Sequence, residues 1–300
     1  MKEQFVRRVA LDTMAASHLC DGSLRSRAVL HTLRSRVKQG TFKLVATWPL
    51  IEELAGLFDS NPTLYRRIMR EVARLSRGRL LNHGLVRVPL EVRRRSRLRA
   101  REAFLPMRES RQILAAALRN AKAIKGQAAV VVRAKQKYEQ GEAEEKAAFW
   151  REAEGTMDRE QGCTAFVRNR DAVIDDVCRN ALREHRERFG LPVAEGEWPA
   201  PREVPTLRAD MAFHVARLYL VGLEAKGKGK IDGNDLYDNA HFADAVYSDV
   251  LVTDDKRLHR IAGEAGNTRV HLQRYEDFAI DVLSPSGARR REPTSCGRGD

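Results

Sequence analysis

Acidic side chains recur at the points where the sequence predicts that strands end and helices begin. One acid follows an apolar, β-branched run near the amino terminus, two lie in the helix after a second such run, and four flank a third run, DVLVT at 249–253. Because the carboxyl ends of parallel strands meet at one edge of a sheet, we expect these carboxylates to lie close together. The acids are Asp12, Glu52, Glu53, Asp235, Asp238, Asp254 and Asp255.

Carboxylates that share one edge need a compensating charge. Two of them repel each other by about 4 kcal/mol at about 4 Å in an effective dielectric of about 20. A hard divalent cation removes this repulsion, and ligand sets made only of oxygen suit Mg²⁺ or Mn²⁺. Such an ion activates a water and neutralises charge on a phosphoryl group under attack. A simpler interpretation of each acid alone is a helix N-cap, and it applies most to Asp235 and Asp238.

The elements that would position these acids form a strand–helix pattern at both ends of the chain. Between the two ends the sequence is almost entirely helical, with predicted breaks near 84–89, 126 and 141 and a connector over 190–205. This alternation predicts an α/β fold whose mostly parallel sheet is covered by helices on both faces. The predicted strands are 5–11, 42–47, 249–253 and 268–272.

Composition divides the chain into three parts. An α/β catalytic core is predicted over 1–60 and 205–283, interrupted by an Arg-rich helical insertion and connector over 61–204. The polar residues 284–300 are predicted to form a disordered tail. We therefore expect one discontinuous domain.

The excess of positive charge lies in one segment. The chain has 54 Lys and Arg against 41 Asp and Glu, a net charge of +13, and residues 61–126 hold eighteen basic residues against four Glu, a net of +14. Arginine binds phosphate bidentately, so the segment predicts a grip on the backbone of nucleic acid. The alternative is a solvated face paired with the acidic stretch 139–160. The candidate nucleic-acid-binding residues are Arg87, Arg93, Arg94, Arg95, Arg97, Arg99 and Arg101.

Several protein classes are excluded by composition. No apolar run approaches the length of a membrane span, and the first residues lack the features of a secretory signal, so we expect a cytoplasmic protein without a membrane partner. The four cysteines are scattered and show no C-x-x-C pairing, which argues against a zinc site or a disulfide framework.

Three motifs resemble those of PIN-domain nucleases. They are V-A-L-D-T at 9–13, E-L at 53–54, and N-D-L-Y-D-N-A-H-F-A-D-A-V-Y-S-D-V-L-V-T-D-D-K-R-L at 234–258. The resemblance covers 6–57 and 207–282 and implies a three-layer PIN-like core. It assigns the catalytic and metal-binding acids to Asp12, Glu53, Asp238 and Asp255, with the hydroxyl of Thr253 in support.

Some assignments within this resemblance stay open. Asp235 competes with Asp238 as a metal ligand, and Glu52 competes with Glu53. Met14 stands where the family often has Asn. Supporting positions around the metal are assigned to Thr253, Asp254 and His241, although a buried, hydrogen-bonded histidine is the simpler interpretation for His241 and for His214.

The resemblance implies a Mg²⁺- or Mn²⁺-dependent phosphodiesterase that acts most often on RNA. A metal-activated water would attack the phosphorus and leave a 5′-phosphate and a 3′-hydroxyl. RNA is favoured over DNA as the partner, and an inhibitory partner protein is a further candidate. The alternative function is a catalytically weak PIN-like module that binds nucleic acid or a partner protein. A phosphatase of the haloacid dehalogenase type ranks last, because it needs an aspartate where Met14 stands.

Overall fold

Four parallel strands form the single sheet of the computed structural model, which describes residues 6–119, 159–223, 235–266 and 268–284. The strands lie in the order β2-β1-β3-β4. This arrangement confirms the predicted α/β class and the parallel sheet. The strands are β1 Arg7–Leu11, β2 Phe42–Leu44, β3 Val250–Val252 and β4 Leu272–Gln273.

Thirteen α-helices lie in the described part of the chain, and two short 3₁₀ turns at Glu195–Glu197 and Pro201–Glu203 lie in the connector. The α-helices are α1 Thr13–Leu19, α2 Leu24–Gln39, α3 Trp48–Ser60, α4 Pro62–Leu75, α5 Gly84–Arg94, α6 Ala100–Ala103, α7 Met107–Arg119, α8 Arg159–Glu184, α9 Arg186–Phe189, α10 Pro205–Leu223, α11 Asp235–Ala245, α12 Lys256–Glu264 and α13 Tyr275–Leu283.

Three boundaries differ from the prediction, the first being the end of β2 at Leu44 instead of 47. The predicted strand over 268–272 is mostly irregular, because Arg269 has a left-handed backbone with a φ of 63° that a strand cannot accommodate. The predicted break over 84–89 is wrong, because α5 runs through Pro89. A proline in the second turn removes only the hydrogen bond to the carbonyl of Leu85, so the helix continues.

Helices cover both faces of the sheet. Val9 and Leu11 of β1 join a buried cluster with α1, α2, α3, α4, α7 and α13, while Ala10 joins a second cluster with α8, α10, α11 and α12. This alternation follows from the period of two along a strand. A smaller cluster joins α5, α8, α9 and α10. The result is a three-layer α/β arrangement.

Helices from the predicted insertion, 61–204, take part in both outer layers. Helices α4 and α7 contribute to the first cluster and α8 to the second. The predicted breaks at 126 and 141, the acidic stretch up to residue 158 and the tail from residue 285 lie outside the described residues. In the described parts of the chain, no helix combines the length and apolarity that a membrane crossing requires.

A buried charge network joins α5 to α10 and α11. Arg87 is fully buried and forms an ion pair with Asp244 of α11. Its Nε donates to the carbonyl of Asn82 at 2.8 Å and its Nη1 to the hydroxyl of Thr206 at 3.2 Å. The expectation that Arg87 binds nucleic acid is therefore wrong, because its guanidinium is used inside the protein.

Replacing Arg87 by Met is expected to lower the free energy of unfolding by about 3–5 kcal/mol, because Asp244 is then left buried without its partner. Urea unfolding followed by circular dichroism measures the change. The matched control is Arg93→Met at an exposed position of the same helix, where we expect a change within about 0.5 kcal/mol. The double variant Arg87→Met/Asp244→Leu should recover part of the loss. Equal effects of Arg87→Met and Arg93→Met would contradict the network's role.

Candidate active site

Asp12 and Thr253 lie side by side at the carboxyl edge of the sheet. Leu11 of β1 is the pairing partner of Val252 of β3, so the residues that follow them are neighbours. Asp12 is the N-cap of α1, and its Oδ1 accepts from the backbone N–H of Ala15 at 2.6 Å. The buried hydroxyl of Thr253 also hydrogen-bonds to the carboxylate of Asp12. Two different elements therefore fix this carboxylate.

Glu53 connects three helices around the same edge. It lies in the second turn of α3, a helix that begins at Trp48 with proline in its first turn. Its Oε2 accepts from the hydroxyl of Thr13 in α1 at 2.5 Å and lies 2.9 Å from Nε2 of His241 in α11. The sequence analysis did not single out Thr13, although it directly follows Asp12 and lies in the first turn of α1.

His241 lies buried among the acids, which confirms the simpler interpretation of this residue. Burial alone would lower its pKa, but the hydrogen bond to Glu53 and the negative charges of Glu53, Asp12 and Asp238 outweigh burial and raise it. Asp238 and His241 are three residues apart in α11 and so share one face of the helix. The surrounding acids therefore favour the protonated form of the imidazole.

The carboxyl group of Asp12 is held in a protein environment that disfavours its charge. Burial raises its pKa most, and the neighbouring charge of Glu53 adds to that rise. Hydrogen bonds from Thr253 and Ala15, and the positive charge of His241, act in the opposite direction without cancelling it. A cation placed beside Asp12 and Glu53 would reverse the balance and favour the ionised form.

The structure separates one of the two pairs of acids that the sequence left undecided. Glu53 belongs to the cluster, whereas burial, followed by the charges of Asp244 and Glu53, raises the pKa of Glu52 on a different side of α3. Asp238 acts on His241, while the side chain of Asp235 is outside the described set.

Asp254 and Asp255 have different surroundings. Asp255 is the N-cap of α12, and its Oδ1 accepts from the backbone N–H groups of Arg257 at 2.6 Å and Leu258 at 3.0 Å. Its own backbone N–H donates to the hydroxyl of Thr253 at 3.0 Å, which ties it to Asp12.

Asp254 instead accepts from the backbone N–H of Tyr275 in α13 and contacts Nδ1 of His18, both at 3.0 Å. It anchors α13 and does not join Glu53. The N-cap interpretation, which the sequence favoured for Asp235 and Asp238, holds for Asp12 and Asp255.

The donor types at this edge fit a hard divalent cation. Within the described ranges, no three His, Cys, Asp or Glu side chains come together in a group that could hold a metal. Mg²⁺, however, commonly binds through one or two carboxylates and completes its shell with water and substrate phosphate. Asp12 and Glu53 supply two such carboxylates. The buried hydroxyl of Thr47, which follows β2 at the same edge, has no hydrogen-bond partner among the described residues.

One of the candidate nucleic-acid-binding arginines, Arg97, lies away from these acids. Arg97 is half-buried, its guanidinium lies 5.2 Å from the ring centre of Tyr247, and the charges of Arg8 and Asp249 act on it. Arg8 and Asp249 lie at the amino ends of β1 and β3, so Arg97 is near the opposite edge of the sheet. The exposed members of the set are Arg93, Arg94, Arg95, Arg99 and Arg101.

Comparison with known proteins found no relative of this chain. No protein-family model, curated protein or solved structure matches the chain. The PIN-domain resemblance therefore stays a prediction, supported by the motifs and by the side chains that meet at the carboxyl edge.

Replacing Asp12 by Asn is expected to leave the free energy of unfolding unchanged or to raise it near neutral pH. Folding raises the pKa of Asp12, so the parent protein loses stability as this side chain ionises above the ordinary value of 3.8. Asn does not ionise, so the variant becomes more stable relative to the parent as the pH rises. Asn keeps an oxygen that accepts from Ala15. Urea unfolding across this pH range compares the two proteins.

The comparison variant is Asp12→Ala, which removes the cap and should lower stability by about 1 kcal/mol. An Asp12→Asn protein that is less stable than the parent at every pH would show that the carboxylate is not disfavoured by its surroundings.

Proposed function

We propose that this protein is a divalent-metal-dependent phosphodiesterase of the PIN type, acting as an endoribonuclease. The observation that supports the proposal is that Asp12 and Glu53 lie near enough at the carboxyl edge of the parallel sheet for the charge of Glu53 to act on Asp12, with Thr13 and His241 hydrogen-bonded to Glu53 and Thr253 to Asp12. Sites of open α/β sheets lie at this edge. Asp12, His241 and Thr253 are buried and Thr13 and Glu53 are partly buried, and the five side chains are hydrogen-bonded and oriented from four elements, which is how a reaction centre is kept rigid.

Asp12 and Glu53 are the residues that would hold Mg²⁺ or Mn²⁺. When bound, the ion supplies an activated water and neutralises charge on the phosphoryl group. The protein's own groups do the positioning. Thr253 and the N–H of Ala15 fix Asp12, and Thr13 fixes Glu53.

His241 is hydrogen-bonded to Glu53, and the acids around the imidazole raise its pKa, so the pair holds the carboxylate of Glu53 in place. Asp238, which acts on His241, and Asp255, which is tied to Thr253, complete the acidic rim. In this arrangement Thr253 and His241 support the candidate ligands rather than reacting themselves.

A catalytically weak PIN-like module that binds nucleic acid or a partner protein is the second candidate. It is favoured by the internal use of the acids, since Glu53 is bound by Thr13 and His241, and Asp255 caps a helix. An inhibitory partner protein would suit either candidate, and we propose it only as a partner class.

Cleavage of labelled single-stranded RNA, with Mn²⁺ or with EDTA, tests the first candidate. We expect metal-dependent cleavage that leaves 5′-phosphate and 3′-hydroxyl ends, and a loss of at least about 100-fold in Asp12→Asn and Glu53→Gln. The matched control is Glu52→Gln, one residue away on α3, which should keep activity within a few fold.

Undiminished metal-dependent cleavage by Asp12→Asn would overturn the assignment of the site. Absence of both cleavage and Mn²⁺ binding in calorimetry, with RNA binding retained, would favour the weak binding module. Duplex RNA and DNA as parallel substrates identify the preferred nucleic acid.

A further inference from the structure

A row of basic side chains crosses the sheet at the edge opposite to the acids. Arg8 of β1 and Lys43 of β2 are direct pairing partners. Both belong to the face that carries Ala10 and Val45, because alternate residues of a strand share one face. Two like charges are thus placed next to each other across a pair of strands, an arrangement that destabilises a sheet.

Further arginines extend this row on both sides. The charges of Arg77 and Arg79, together with that of Arg8, act on Lys43. On the other side, the charge of Arg269, which precedes β4, acts on Arg97. Arg8 acts on both Lys43 and Arg97 and so lies between the two groups. We call the six residues the basic edge: Arg8, Lys43, Arg77, Arg79, Arg97 and Arg269.

Acids do little to compensate the basic edge. Asp249 acts on Arg97, but its Oδ2 accepts from the backbone N–H of Arg8 at 2.6 Å. Among the described residues, no carboxylate forms a salt bridge with the side chain of any of the six. Burial lowers the pKa of Lys43 to about 8, and the charges of Arg79, Arg8 and Arg77 contribute to the same shift.

The fold makes little use of the charges of Arg8 and Arg269, whereas Arg77 donates to the backbone carbonyl of Val37, and Lys43 and Arg97 lie over the rings of Phe104 and Tyr247. Arg8, Arg77 and Arg269 are exposed, and within the described ranges the side chains of Arg8 and Arg269 make no hydrogen bond. Arg269 also has the left-handed backbone described above, as does Arg77 with a φ of 55°. Arginine is unfavourable in that conformation.

We propose that the basic edge binds the phosphodiester backbone of a nucleic acid, as a surface separate from the acidic site. Guanidinium groups bind phosphate bidentately, and five of the six residues are arginines. Three strand spacings of about 4.8 Å give a width of about 14 Å, which is enough to contact several successive phosphates of one strand.

The basic edge and the acidic site are separated by the length of β1. Arg8 and Asp12 are four residues apart in sequence, which corresponds to about 13 Å along a strand. A nucleic acid held at the basic edge must therefore pass around the protein to reach Asp12. Long substrates gain affinity from the basic edge, whereas short oligonucleotides react at the acidic site without it.

The choice of RNA as the nucleic acid rests on the proposed nuclease function. The binding of phosphate does not, because it requires no catalysis. Binding is therefore measured on the full chain in EDTA, where cleavage cannot contribute. The probe is a labelled single-stranded RNA of about 20 nucleotides, followed by fluorescence anisotropy between about 50 and about 200 mM NaCl. Matched single-stranded DNA and phosphatidylserine vesicles are the other arms.

The test variant is Arg8→Gln/Arg269→Gln, which changes two exposed side chains. We expect the affinity for RNA to fall about tenfold or more, and the slope of log K against log salt to become shallower by about 1.4, as for two lost phosphate contacts. The control is Arg188→Gln/Arg202→Gln, which removes two exposed charges elsewhere and should change neither quantity beyond a small factor.

Equal losses in the two double variants would overturn the proposal, because the effect would then reflect net charge alone. Unchanged RNA affinity in Arg8→Gln/Arg269→Gln would also overturn it, as would vesicle binding that depends on Arg8 and Arg269 while RNA binding does not. If the unmodified protein does not cleave RNA, but RNA binding still depends on Arg8 and Arg269, the proposed function fails and this proposal stands.

Discussion

Strand β1 pairs in parallel with both β2 and β3, and this double pairing decides where every charged group at the sheet can lie. Val9 and Leu11 are buried on one face and Ala10 on the other, so the register of β1 has no freedom. A slip of one residue would turn Arg8 into the apolar layer occupied by Val9. With the register fixed, Asp12 meets Thr253 at one end of the strand and Arg8 meets Lys43 at the other.

Features encoded by local sequence could be predicted, whereas features that depend on distant packing could not. The strand–acid junction at Asp12 and the DVLVT strand ending at Thr253 follow from apolar runs and helix caps within a few residues. The choice between Glu52 and Glu53 could not be made, because adjacent residues of one helix point about 100° apart and only the contact with His241 decides between them.

The burial of Arg87 shows the same limit more strongly. Its partners Thr206 and Asp244 lie 119 and 157 residues away, and nothing near Arg87 in the sequence separates it from the exposed arginines that follow. Charge counting therefore located a basic segment but could not say which of its members are structural. The resulting arrangement places carboxylates and guanidinium groups at opposite ends of the same strands, so the charges of the sheet are separated along its length.

The left-handed backbones of Arg77 and Arg269 affect the stability of the fold. A residue with a side chain costs about 1–2 kcal/mol in that conformation, and glycine would adopt it without this cost. Arginine at these two positions therefore lowers the stability of the fold and adds two positive charges to the basic edge. Selection for a higher melting temperature alone would favour glycine at both positions. The resulting protein would be more stable, but its basic edge would lose two of its six charges.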